Sequence, residues 1–155
     1  MQISQKITPF LSFNNQAEEA ANFYVSVLPD SKVVRTVKNP ATGTVMTVEF
    51  ELAGMQFVAL NVGQPWQFTH AFSLSVACDT QEEIDRLWSS LSEGGKEVSC
   101  GWLIDKFGVS WQIVPANIGK LMSNPDSAKA GRVMEALMQM TKLDMATLEK
   151  AATSE

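Results

Sequence analysis

Hydrophobic positions follow the same succession of periods twice along the chain. In the first half, an apolar run over residues 7–13 predicts a buried strand, and helical spacing over residues 17–28 predicts a helix. Residues 32–37, 46–52 and 57–62 then predict three strands, with strict apolar and polar alternation in the middle one. The predicted order of elements is β-α-β-β-β.

The second half repeats this order after a connector, Gly63-Gln64-Pro65. Alternation over residues 72–76 predicts a strand, and helical spacing over residues 84–91 predicts a helix that ends at Gly94-Gly95. Residues 96–99 suit a short strand. Residues 100–115 suit two strands joined by the turn Asp105-Lys106-Phe107-Gly108.

Helix-start signals support these assignments. Asn15 with Glu18, and Thr80 with Glu83, have the spacing of capping boxes. Asn124-Pro125-Asp126 predicts the start of a third helix, and Asp144 is expected to cap a fourth. Five of the eight methionines lie between positions 122 and 145, and this face suits packing against the sheet or a second subunit.

The predicted fold class is therefore α+β. Residues 1–123 hold paired βαβββ modules, at about 6–63 and 68–115, and residues 124–155 form a C-terminal helical extension packed on the same domain. The two halves share little residue identity, which indicates a structural duplication and not a sequence repeat.

Composition narrows the classes of partner. The net charge of −5 argues against a sequence-independent grip on nucleic acid and against binding to anionic membranes. No apolar run approaches the roughly 20 residues of a membrane span. The N-terminus lacks a basic stretch followed by an apolar run, so we expect a cytoplasmic protein with two free thiols, Cys78 and Cys100.

Several motifs resemble those of one known family. They are Ile7-Thr8-Pro9-Phe10-Leu11, Ala17-Glu18-Glu19-Ala20 before Asn22-Phe23-Tyr24, Phe68-Thr69 before Ala71-Phe72-Ser73, and Cys100-Gly101-Trp102 with Asp105-Lys106-Phe107-Gly108 and Trp111-Gln112. Together they resemble the vicinal oxygen chelate superfamily of glyoxalases, bleomycin-resistance proteins and dioxygenases. Within it they resemble the PhnB-like branch, which is often labelled 3-demethylubiquinone-9 3-methyltransferase. The resemblance implies a curved mixed sheet around a cleft, a small-molecule ligand and a homodimer.

The resemblance also implies where a metal would bind. Metal-dependent relatives place one ligand on the first and last strand of each half. These positions match Thr8 or Pro9, Ala59, Ala71 and Gln112. Divalent metals bind through His, Asp or Glu side chains, and none of these positions holds one. We therefore predict a degenerate metal site and no resident cofactor, although a divalent metal recruited with the substrate stays open.

Four residues are candidates for ligand binding in such a cleft: Asn61, Trp66, Trp102 and Gln112. Asn61 alternates with Ala59 and would share its face, whereas the amides of Asn61 and Gln112 could instead satisfy each other and the backbone. The two tryptophans could hold a flat ligand, or they could plug a hydrophobic gap or a dimer contact.

His70 and Cys100 have weaker claims. His70 shares its strand parity with Phe72, so we expect it on the opposite face from Ala71, at the edge of the strand. Because alternation can fail at the start of a strand, a position in the cleft stays open as the alternative. Cys100 and Gln112 are weak catalytic candidates. The sequence neighbours of Cys100 offer no histidine, lysine or helix N-terminus that would activate its thiol. Glu49 and Glu51 alternate along their strand and are typical of a solvated sheet face.

Two functions remain open from the sequence. The first is small-molecule binding with no assignable reaction. The second is an enzyme of the lyase, isomerase or transferase type in the same cleft, working without metal or with a metal that arrives with the substrate. The first strand-to-helix turn, Asn14-Asn15-Gln16, has no glycine, so no motif supports the methyltransferase label.

Overall fold

The structure, a computed structural model, describes residues 5–154. The chain divides into two compact units, Met1–Gln67 and Phe68–Glu155, and the C-terminal helices belong to the second. Both units contain one four-stranded mixed sheet, and both show the predicted β-α-β-β-β order. No helix within the described residues is long and apolar enough to cross a membrane.

Unit 1 contains one helix and four strands. In chain order they are β1 (Phe10–Phe13), α1 (Ala17–Val27), β2 (Lys32–Lys38), β3 (Val45–Leu52) and β4 (Met55–Asn61). The strands lie in the order β1-β4-β3-β2, with β1 parallel to β4 and the other pairs antiparallel. The first strand begins at Phe10 and not at Ile7, which is exposed ahead of the sheet.

One face of this sheet is packed by α1. The residues on that face are Leu11, Phe13, Val48, Phe50, Phe57 and Ala59, all of them buried. Tyr24 of α1 stacks on Phe50, with ring centroids 6.4 Å apart, and Phe50 stacks on Phe57 at 5.6 Å. Burial of these apolar side chains is what stabilises the unit.

Unit 2 has the same plan with three added helices. Its elements are β5 (Ser73–Cys78), α2 (Gln81–Ser92), β6 (Lys96–Glu97), β7 (Trp102–Ile104), β8 (Ser110–Pro115), α3 (Ile118–Met122), α4 (Ser127–Met138) and α5 (Met145–Thr153). The strand order is β5-β8-β7-β6, and β5 is parallel to β8. Helix α2 covers one face with Ile84, Leu87, Trp88 and Leu91, all buried.

Three of the predicted helix starts are confirmed and one is wrong. The side chain of Thr80 accepts a hydrogen bond from a first-turn amide of α2. Asp126 does the same for α4, and Asp144 for α5. Helix α1 has no capping box, because its N-cap is Gln16 and no side chain at that position bonds to the helix. The short helix α3 had no sequence signal that predicted it.

The turn between β7 and β8 is organised by one buried carboxylate. Asp105 is buried, and its Oδ1 accepts hydrogen bonds from the backbone N–H of Phe107 at 2.8 Å and of Val109 at 3.0 Å. Its Oδ2 accepts a hydrogen bond from the indole N–H of Trp111 at 2.8 Å. The carboxylate therefore ties the turn to a large side chain behind the sheet, and a buried charge is tolerated when it is bonded in this way.

The two thiols occupy different environments. Cys78 is fully buried on the helix-covered face, and burial, together with nearby Glu83, raises the pKa of its thiol to about 12. Cys100 is half-buried in the turn between β6 and β7, and it is not on a strand. Its Sγ lies 3.8 Å from Sδ of Met138.

We predict that replacing Asp105 destabilises the fold strongly. Asp105→Ala leaves three N–H donors, two of them buried, without this acceptor, so we expect a loss of about 3 kcal/mol or more in the free energy of unfolding. Asp105→Asn keeps one acceptor oxygen and should lose less. Urea unfolding followed by circular dichroism measures both. The exposed cap variant Asp144→Ala should lose about 1 kcal/mol, and equal losses for the Asp105→Ala and Asp144→Ala variants would contradict this role.

We also predict that the two thiols react at very different rates. The thiolate is the reactive form, and the raised pKa of Cys78 keeps its thiol protonated at pH 8. N-ethylmaleimide at pH 8 should therefore label Cys100 in the native protein, and should label Cys78 only after unfolding. Mass spectrometry of tryptic peptides separates the two sites, and equal native rates would show that Cys78 is not shielded.

Candidate functional site

The face of the unit 2 sheet opposite α2 carries a group of uncharged polar side chains around one indole. Strand pairing places Ser73 beside Ser110 and Ser75 beside Gln112. On its other side, Gln112 pairs with Trp102. Since paired residues point to the same face, Ser73, Ser75, Gln112, Ser110, Trp102 and Ile104 share it. This set of residues is called the open face below.

The anchored turn explains why Gln112 belongs to the open face. Trp111 is buried on the α2 side, where its indole N–H reaches Asp105. Consecutive residues of a strand point to opposite faces, so Gln112 points away from α2.

Two hydrogen bonds order the polar groups of the open face. The side-chain amide of Gln112 donates from Nε2 to Ser73 Oγ at 3.0 Å. Nδ1 of His70 lies 3.1 Å from Ser110 Oγ. The His70 ring meets the Trp102 ring edge-on, with centroids 6.3 Å apart and planes inclined by 75°.

The placement of His70 corrects the expectation from strand parity. Parity with Phe72 predicts the face opposite Ala71, but β5 begins only at Ser73. His70 lies in the turn before the strand, where alternation does not apply, and its imidazole bonds to Ser110 and contacts Trp102. The sequence also gave no reason to single out Ser110, which is buried beneath the imidazole.

Three polar atoms of this group have no hydrogen-bond partner within residues 5–154. They are Oε1 of Gln112, Nε2 of His70 and the indole nitrogen of Trp102. Gln112 and Trp102 are half-buried and His70 is exposed. One atom is an acceptor, one is a donor and the imidazole nitrogen can be either, so the group can hydrogen-bond to a ligand through both kinds of contact.

The open face carries no charge on its three longer strands. On β5, β7 and β8 it presents only serine, alanine, valine, isoleucine, glutamine and tryptophan side chains. Lys96 of β6, which pairs with Ile104, lies at the outer edge. A charged ligand would lose its hydration here without finding an opposite charge, whereas a neutral one would not.

In unit 1 the expected positions of Ala59 and Asn61 are corrected. Ala59 pairs with Leu11 and Val48 and is fully buried on the face covered by α1. Asn61 pairs with Phe13 on the same face. The expected alternation of Ala59 with Asn61 is confirmed, but the face is the opposite of the one predicted.

The amide of Asn61 is occupied at both ends. Its Oδ1 accepts a hydrogen bond from the backbone N–H of Ala17 at 2.9 Å, and its Nδ2 donates to the carbonyl of Val45 at 3.1 Å. Asn61 thus accepts a hydrogen bond from a first-turn amide of α1. In the predicted capping box, a side chain next to the helix would have accepted a bond of this kind. The backbone and not Gln112 satisfies its amide.

The face of the unit 1 sheet away from α1 carries an ion pair. The guanidinium of Arg35 binds both carboxylate oxygens of Glu49, with Nη2 to Oε1 at 2.9 Å. This hydrogen bond lowers the pKa of the Glu49 carboxyl and raises the pKa of Arg35. A small pocket of about 170 Å³ lies here, lined among others by Thr8, Phe10 and Glu49. Glu49 stays a residue of a solvated sheet face, as predicted.

Two further candidates are Trp66 and Cys100. Trp66 belongs to the connector at the end of unit 1 and is 62% exposed. The Cys100 thiol contacts Met138 of α4, and the residue occupies a left-handed turn conformation with φ +58°. Of the four predicted ligand-binding residues, the structure brings together Trp102 and Gln112.

The side chains present do not fit a divalent metal. Within residues 5–154 no three His, Cys, Asp or Glu side chains form a group that could hold a metal ion. On the open face the donors are one imidazole, one amide and serine hydroxyls. Neutral oxygen donors bind Zn²⁺ or Fe²⁺ weakly without a carboxylate beside them.

Comparison with known proteins assigns the family. Residues 5–114 match the family model described as 3-demethylubiquinone-9 3-methyltransferase. The PhnB protein from Bacillus cereus is 39% identical, over 72% of this chain and 100% of its own, with a TM-score of 0.68. A comparison with curated proteins gives no match.

More distant structures share the fold alone. A protein from Pseudomonas aeruginosa is 23% identical over 71% of this chain and 96% of its own, with a TM-score of 0.58. A glyoxylase/bleomycin resistance protein/dioxygenase domain from Frankia is 16% identical over 74% of this chain and 98% of its own, with a TM-score of 0.50. The chain therefore belongs to the PhnB-like family described as 3-demethylubiquinone-9 3-methyltransferase.

Proposed function

We propose that the chain binds a small, uncharged ligand with a flat face on the open face of unit 2. The observation that carries this proposal is a group of three polar atoms on Gln112, His70 and Trp102 that have no hydrogen-bond partner among residues 5–154. They lie on a face whose longer strands hold no charge. Sites for small molecules combine apolar or aromatic walls with a few polar groups of fixed orientation.

The Gln112 amide is already oriented for binding. Because Nε2 donates to Ser73, rotation of the amide is restrained and Oε1 is presented as an acceptor. A ligand N–H that reaches Oε1 avoids the conformational cost of ordering that side chain, which improves affinity. A primary amide or a ring N–H next to a carbonyl has the required chemistry.

Trp102 supplies the flat surface. Aromatic pairs contribute about 0.5–1.5 kcal/mol beyond the burial of their area. The edge contact with His70 fixes one side of the indole and leaves the ring half-buried. The proposed contacts are therefore Trp102 and Gln112, with His70 and Ser73 added. Trp66 stays a prediction, and Asn61 is left out because its amide already holds α1.

Binding in this proposal needs no resident metal. Two observations support this: the side chains of the open face are poor ligands for a divalent metal, and position 112 holds an amide and not a carboxylate. The family description names a methyltransferase, but the first strand-to-helix turn lacks the glycine-rich loop that commonly binds a nucleotide cofactor.

An enzyme is the second candidate, and one observation favours it. The imidazole of His70 is held by Ser110 on the same side as Gln112, so it could accept a proton from a bound ligand. This would suit a metal-independent isomerase or lyase. Turnover of a bound compound that stops in a His70→Gln variant would replace the binding proposal with this one.

We predict that benzamide, a planar neutral amide, binds the open face. Titration into ¹⁵N-labelled protein should shift the side-chain NH₂ signal of Gln112 and the indole signal of Trp102, with a Kd of about 1 mM, as expected for so small a ligand. Gln112→Ala should weaken binding by about three- to tenfold, which corresponds to one hydrogen bond. The exposed control Gln139→Ala should bind as the wild type does.

Two related compounds and a chelator sharpen this test. Benzoate keeps the ring but carries a charge, and cyclohexanecarboxamide keeps the amide but lacks the flat face, so both should bind more weakly. Prior treatment with EDTA should leave the benzamide shifts unchanged. Shifts that occur only away from the open face would overturn the proposed site, and loss of binding after EDTA would overturn its independence from metal.

We also propose that the chain forms a homodimer. Large apolar side chains are exposed on both units, and the largest fractions are 83% for Ile7, 62% for Trp66 and 62% for Met138. Aromatic residues and methionine are enriched in protein interfaces. Sedimentation equilibrium at micromolar concentration should give twice the 17.0 kDa of the single chain, and a mass of one chain would count against the dimer.

A further inference from the structure

The C-terminal helices lie beyond the part of the chain that matches the family. The family model ends at residue 114, and the Bacillus cereus protein is covered completely by 72% of this chain. Helices α3, α4 and α5 follow that boundary and have their own buried cluster, made of Val133, Leu143, Leu148 and Ala152. Residues 140–145, which join α4 to α5, are called the clasp below.

The clasp satisfies the backbone of the turn that precedes β7. The N–H of Cys100 donates to the carbonyl of Met140 at 2.8 Å, and the N–H of Gly101 donates to the carbonyl of Thr141 at 2.9 Å. Both turn residues have left-handed backbone, with φ +58° and φ +85°. A left-handed conformation is unfavourable for a non-glycine residue, so the bonds to the clasp help hold Cys100 in a conformation that it would otherwise disfavour.

Leu143 locks the clasp against the same turn. Its side chain is fully buried, and a Cβ on Gly101 would lie 3.0 Å from Leu143 Cδ1. A side chain at position 101 would therefore displace Leu143 by a few tenths of an ångström, and the left-handed backbone at this position also favours glycine. The close contact means that displacement of Leu143 removes the packing on one side of the turn.

Helix α2 holds the other side of the clasp. The Gln81 amide donates from Nε2 to the carbonyl of Leu143 at 3.0 Å and accepts at Oε1 from the N–H of Met145 at 2.8 Å. Lys142 pairs with Asp85 at 2.8 Å and lowers the pKa of that carboxyl. The ion pair is exposed, so it contributes little compared with the Gln81 amide.

The turn controls the position of Trp102. Trp102 follows Gly101 directly, and its N–H donates back to the carbonyl of Ser99 at 3.1 Å. The carbonyl of Gly101 accepts from the N–H of Ile113 on β8 at 2.8 Å, so the turn is bonded to the strand that carries Gln112. A shift of the turn would move the indole relative to both His70 and Gln112.

We propose that the clasp positions Trp102 for ligand binding, with Leu143 and Gln81 as positioning residues. The effect on ligand binding rests on the function proposed for the open face. The effect on Trp102 does not, because it concerns the protein without ligand. The partner of the clasp is thus the turn of the same chain, and neither Leu143 nor Gln81 contacts the ligand.

The ligand-free test uses two NMR readouts on the full chain. In Leu143→Ala and Gln81→Leu, the amides of Cys100 and Gly101 should exchange with solvent at least about tenfold faster, because local opening exposes them. The nuclear Overhauser effect between the His70 and Trp102 rings should weaken in the same variants. Leu143→Met, which keeps most of the volume, should restore both readouts.

A control variant separates positioning from general stability. Leu91 is fully buried on α2, and nothing in the described structure joins it to the clasp. Leu91→Ala should lower the free energy of unfolding by a similar amount and leave the His70–Trp102 contact unchanged. Loss of that contact in Leu91→Ala as well would show that the clasp has no specific role.

The benzamide titration tests whether the clasp affects ligand binding. Loss of a well-placed aromatic surface should weaken binding up to about tenfold in Leu143→Ala, and Leu91→Ala should bind as the wild type does. If exchange accelerates while the ring contact and the benzamide Kd stay unchanged, the positioning role is overturned. If exchange at Cys100 and Gly101 does not accelerate, the claim that Leu143 and Gln81 hold the clasp against this turn is overturned. If the wild type does not bind benzamide, the proposed ligand class fails, and the ring contact alone decides the clasp.

Discussion

The carboxylate of Asp105 is the constraint on which the candidate site depends. It is buried, and it gathers two backbone N–H groups of the turn and the indole N–H of Trp111. A buried charge without such partners would be costly, so the three donors and the carboxylate require one another. Because Trp111 is thereby fixed behind the sheet, the next residue, Gln112, must point to the open face.

The chemistry of the open face follows from this arrangement. Ser73 orients the Gln112 amide, Ser110 holds His70, and His70 meets the edge of Trp102. The side chains of Ser73, Ser110, Gln112 and Trp102 carry no charge, and none of them is a carboxylate that would hold a divalent metal. A binding face for a neutral ligand is what such residues can provide, and the clasp adds a contact from residues beyond the part of the chain that the family model matches.

Much of the fold could be predicted because periodicity and turn residues carry it. The β-α-β-β-β order, the caps at Thr80, Asp126 and Asp144, and the faces of Trp111 and Gln112 follow from local patterns. The face of Ala59 could not be predicted in this way. Phe57, Val58 and Ala59 are all buried, so the run shows no alternation that would fix which residues point to α1.

The remaining errors arose where a side chain acts over a long distance in the sequence. Asn61 accepts a hydrogen bond from the first turn of α1, 44 positions earlier in the sequence, and His70 bonds to Ser110, 40 positions later. His70 also lies before its strand, where alternation says nothing. The clasp is a third case, since Gln81 and Leu143 are joined only by the tertiary fold.

A crystal structure of the protein soaked with benzamide tests the central claim most directly. The account predicts electron density for the ring against Trp102, with the ligand N–H within hydrogen-bond distance of Gln112 Oε1. Density that appears only elsewhere, or a Gln112 amide turned away from the ligand, would contradict it.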